Sequence, residues 1–115
     1  MTLDKKSGDQ PFVFGHREDL SNLPPITREH EVDLHGGFAT DTTGDNTIYY
    51  GMPGCGIISI EPDLKNQNVI GLPKQIESFN FHGTTIAEIG GEKRLVLSAN
   101  NDESVCVITL DGKID

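Results

Sequence analysis

Three short signatures recur along this 115-residue chain in a fixed order, and the repeat constrains its fold more than any single residue does. The first closes a strand with an acidic turn: TLDKKSG at 2–8, SIEPDLKN at 59–66 and TLDGKID at 109–115. The second is an apolar strand leading to Leu-Pro. It appears as FVFG at 12–15 followed by LPPI at 23–26, and as NVIGLPKQI at 68–76. The third is a His-Gly entry into a strand-like run, at 35–36 in EVDLHGGFATD and at 82–83 in SFNFHGTTIAEI. A period of roughly 50 residues is that of one small supersecondary unit, which buries its apolar surface only against a neighbouring copy.

The more complete copy divides into four strands, near 36–41, 47–51, 56–61 and 68–72. The stretches between them, TTGDN, MPGCG and PDLKNQ, carry the Gly, Asn, Asp and Pro that tight turns require. The second copy reads TTIAEI, RLVLS and VCVITL, separated by GGEK and ANNDE. In VCVITL, Val105 and Val107 fall on one side and Cys106, Ile108 and Leu110 on the other. Apolar residues on both sides predict a sheet covered on both faces. No stretch has the 3.6-residue period of a helix, and REDLSN at 17–22 has room for one turn before Pro24 and Pro25.

Antiparallel four-stranded units buried on both faces are the pattern of β-propeller blades. The expected fold is all-β: a β-propeller segment of two four-stranded antiparallel blades in a single domain, 1–115. Residues 1–34 form an outer strand plus polar connector, 35–81 the first blade with its connector, and 82–115 three strands of the second. Two blades leave apolar faces and strand edges open. Two outcomes stay open. Either copies associate, a trimer giving a six-bladed ring in which FVFG completes a neighbour's last blade, or the chain is a fragment of a longer propeller.

The residues carrying the His-Gly entries resemble the NHL-type and related six-bladed propellers. The stretches in question are LHGGFATDTTGDNTIYYGMPGCGIISIEPD and FHGTTIAEIGGEKRLVLSANNDESVCVITLDGK. Within that superfamily the peptidyl-hydroxyglycine amidating lyase has His-Gly entries whose histidines line the channel and hold a metal. Gluconolactonase-like members hold theirs with carboxylate and Asn. The resemblance implies His35 and His82 as channel metal ligands, for zinc or calcium, with Gly36 and Gly83 as channel-lining backbone. Read from the residues alone, the two histidines either ligate a metal or bond to a neighbouring blade's carbonyl. Three functions follow as expectations: a ligand- or protein-binding scaffold, a metal-dependent lyase or hydrolase, and, least favoured in a chain with two Tyr and no Trp, a lectin-like ring.

Composition narrows the partners. Eighteen acidic residues against nine basic ones give a net charge of −9, which repels phosphate backbones and argues against nucleic acid. No apolar run approaches the roughly 20 residues of a membrane span, and the start MTLDKKSGDQ has no signal core, so the expected location is cytoplasmic. Cys55 and Cys106 match no zinc or redox spacing and read as small half-buried hydrophobes. Asp41, Asp45 and Asn46 depart from the EF-hand pattern and read as a hairpin turn, as do Asn100 to Glu103. His16 and His30 read as solvated connector residues, and Tyr49 and Tyr50 as packing one on each face of their strand.

Overall fold

The computed structural model describes residues 6–33 and 36–114. These residues are predominantly β, in antiparallel sheets of two, four and three strands. A small hairpin pairs β1 (Lys6–Ser7) with β2 (Phe14–Gly15). The main sheet is a meander of β3 (Phe38–Thr40), β4 (Ile48–Met52), β5 (Gly56–Ile60) and β6 (Gln67–Ile70). The last sheet is a second meander of β7 (Phe81–Ile89), β8 (Glu92–Ala99) and β9 (Ser104–Thr109). The expected FVFG strand is reduced to Phe14–Gly15, which among the described residues pairs with β1, and Phe12, Val13 and Phe14 are all exposed.

The turns form where their chemistry demands. Asp41 accepts from the backbone N–H groups of Gly44 and Asn46, and Asn46 takes the positive φ that the β3–β4 turn needs. Asp63 accepts from the N–H groups of Lys65 and Asn66 and closes the β5–β6 turn. Asn100 to Glu103 form the exposed β8–β9 turn. The connector before β3 departs from the expectation of no helix beyond one turn. Besides the expected turn at Glu18–Leu20, a 3-10 segment runs over Pro25–Asp33, kinked at His30. Pro25 opens it with its φ already set, and the Thr27 N–H and hydroxyl both bond to the Pro24 carbonyl.

The two large sheets stack through one face each. From the first come Tyr49 and Ile57; from the second come Phe81, Leu95, Leu97 and Ile108. The 71–80 connector closes this core with Ile76, Leu72 and Phe79. Leu95, Leu97, Ile57 and Ile108 are fully buried, each contributing about 1.5–3 kcal/mol. The opposite face of the first sheet carries Tyr50, Met52 and Ile58 beneath the 20–33 connector. Tyr49 and Tyr50 thus pack on opposite faces, as expected.

The last sheet differs from expectation. Its Cys106 and Ile108 side enters the core, but on the Val105 side no described residue is fully buried: Val96 and Val107 are half-buried and Val105 is 68% exposed. Apolar residues on both sides of a strand show that both sides can be buried, not that this chain supplies both covers.

Candidate functional site

Gly36 and Gly37 meet the start of β7, Phe81 to Gly83, where β3 packs against β7. A side chain at Gly37 would stand 2.5 Å from the His82 carbonyl oxygen and 3.3 Å from the Gly83 Cα, and one at Gly36 would overlap the Gly51 carbonyl. A Cβ on Gly83 would overlap the Ser98 hydroxyl. Gly36 and Gly37 are needed for backbone-to-backbone contact within and between the sheets, whereas Gly83 makes room for the Ser98 side chain. His82 is exposed beside them, and His35 lies outside the described residues. Among the described residues no three His, Cys, Asp or Glu side chains converge as a metal site.

Pairing registers refine the repeat. Aligned on the β4–β5 and β8–β9 hairpins, the row Phe38–Tyr50–Ile58 matches Thr84–Leu97–Cys106. Gly83 then corresponds to Gly37, and His82 corresponds to Gly36 rather than to His35. The register slip between Phe81 and Gly83 accompanies this offset.

One polar contact ties the sheets together. Lys93 Nζ, at the start of β8, donates to both carboxylate oxygens of Asp41 at 2.7 and 2.9 Å. The Asp41 side chain is only 8% exposed, and it shares a cleft of about 250 Å³ with Thr40, Thr43, Glu88 and Lys93. Sequence reasoning placed Asp41 in a hairpin turn, where it lies, but not its partner, which is 52 residues away, where no local pattern signals it. Lys93→Met is expected to cost about 1–3 kcal/mol by urea denaturation. That is less than a fully buried pair because Lys93 keeps water access, with part recovered when Asp41→Asn is added. Asp45, beside it in the turn, is held below the usual carboxylate range by the Thr47 N–H.

Two further clefts flank the sheets. One, of about 440 Å³, lies between the connector and the outer face of the first sheet, lined by Leu20, Leu23, Phe38, Tyr50, Ile60 and Gln67. Phe38 stacks on Tyr50 with ring centroids 4.5 Å apart, yet remains 61% exposed. The Gln67 amide nitrogen donates to the carbonyls of Leu20 and Leu64, which pins the connector to the sheet. The other, of about 350 Å³, sits at the end of the sheets between His30, Gly54, Ser78, Asn80 and Asn101. His30 is therefore half-buried, its ring packed over Gly54, where a solvated residue was expected.

Both cysteines are free thiols, and burial pushes each above its ordinary pKa. That is the character of packing residues rather than nucleophiles. Cys55 Sγ faces the Ile26 carbonyl at 3.9 Å and helps seat the connector. No helix among the described residues is long and apolar enough to cross a membrane. Comparison with known family models, curated proteins and solved structures finds no match to this chain.

Proposed function

We propose that this protein is a β-propeller-type scaffold, whose two blade-like sheets bind protein surface and build a larger ring from copies of the chain. One observation carries the reading: both sheets are meanders stacked the same way round, with their first strands closest together. A unit that stacks by repetition leaves a copy of its own interface open at each end. A closed ring removes those open faces, and three copies supply the six blades of a common propeller size.

Native mass spectrometry and sedimentation are expected to give a defined oligomer, with the trimer as the principal species. A wild-type chain that stays monomeric at micromolar concentration would overturn the scaffold reading. The polar cleft around Asp41 and the exposed His82 stand outside this role.

A further inference from the structure

The core between the sheets is a template for what covers their outer faces. In the pairing alignment, Ile57 of the first sheet corresponds to Val105 of the last, and Tyr49 and Ser59 correspond to Val96 and Val107. Ile57 is fully buried against the second sheet; Val105 is 68% exposed. Conversely, Tyr50 and Ile60 on the outer face of the first sheet correspond to Leu97 and Ile108, both fully buried in the core. The Val105 side of the last sheet, and the part of the first sheet's outer face that the connector leaves open beside Phe38, are thus the positional counterparts of faces covered within the same chain.

The connectors repeat as well. Leu72-Pro73 and Leu23-Pro24 each lead into a turn with the same bond, Ile76 N–H to the Pro73 carbonyl and Thr27 N–H to the Pro24 carbonyl. Leu72 packs into the inter-sheet core, whereas Leu23 borders the 440 Å³ cleft and is 39% exposed. The connector over the first sheet therefore belongs to an interface of the same build, lacking the sheet on its other side.

We infer that the open face of the last sheet, centred on Val105 and Val107, docks on a second copy of this chain, in the cleft between its connector and Phe38. The inference rests on the scaffold reading and adds the surfaces and their polarity. The contact joins two different faces, so it is head-to-tail, and each copy keeps one free face of either kind until a ring closes. The contact is mainly apolar, valines on one side and Leu23, Phe38 and Ile60 on the other, while each copy carries a charge of −9. Shortening the Debye length from about 30 to about 8 Å with salt should therefore tighten association.

The test uses two full-length variants, Val105→Glu and Phe38→Glu, at positions exposed in the single chain. Each is expected to keep the wild-type circular dichroism, and the melting temperature of the wild-type chain diluted until it is monomeric, while weakening self-association about 100-fold or more, because docking would bury an unpaired carboxylate. Mixed, they are expected to form 1:1 dimers and nothing larger, since each supplies the surface the other lacks. Wild-type assembly surviving in either variant, or a mixture that stays monomeric, would overturn the inference and leave the scaffold reading standing. Association that weakens with added salt would also overturn it. A monomeric wild-type chain would remove both.

Discussion

Phe81→Ala is expected to cost about 3–5 kcal/mol, against the 5–15 kcal/mol that holds a typical domain folded. Phe81 is 1% exposed and sits where three parts of the chain meet. Its Cβ side lies against Gly51 of the first sheet, its ring packs beside Phe79 of the connector at 6.1 Å, and its strand pairs it with Ala99. Removing the ring takes away apolar burial and leaves a cavity that no single element can fill by moving. Thermal and urea unfolding should show a melting temperature lower by roughly 15–25 °C. Phe14→Ala is the matched control. With Phe14 65% exposed in the first hairpin, its loss should stay within about 0.5 kcal/mol. Equal losses from the two substitutions would mean that the inter-sheet core does not dominate stability.

The strands were legible because short-range chemistry determines them. Turn residues at Asp41 to Asn46, Asp63 to Asn66 and Asn100 to Glu103 mark where each strand ends, and a two-residue period sorts Tyr49 from Tyr50. Observed strand limits differ from the expected ones by about one to three residues, as unpaired ends do. The 3-10 segment over Pro25–Asp33 was not legible, because it has no amphipathic period and its start depends on one bond to Pro24. The Asp41–Lys93 pair was hidden for a different reason: a contact across 52 residues is fixed by how the sheets stack, which no local pattern encodes.

The candidate site shows the same division. His82 and Gly83 fall in the first residues of β7 and His35 lies outside the described residues; spacing alone could not reveal the slip between Phe81 and Gly83 that puts His82 on the row of Gly36. The residues with unsatisfied surface, Phe38 and Val105, looked like ordinary strand residues in the sequence. Only burial in the folded chain separates a covered Ile57 from its uncovered counterpart.

Gly37→Ala is the sharper test of that stacking. The added methyl would stand 2.5 Å from the His82 carbonyl oxygen, 3.0 Å from the Thr84 nitrogen and 3.3 Å from the Gly83 Cα. All three are backbone atoms of a paired strand, so none can turn aside as a side-chain tip would. Relief requires β3 and β7 to separate, which in turn loosens Phe81 over Gly51. Overpacking of this kind costs about 1–3 kcal/mol where neighbours yield, and the rigid backbone here places Gly37→Ala at or above the top of that range. Gly71→Ala provides the comparison. Nothing lies within 4 Å of its would-be Cβ and its φ is not positive, so the same methyl should leave stability unchanged or raise it by up to about 1 kcal/mol. Hydrogen exchange should localise the Gly37→Ala damage to the N–H groups of β3 and the first half of β7, while the far ends of β8 and β9 keep their protection. Uniform loss across both sheets would show instead that they unfold as one unit and that the inner-strand contact holds no separate role.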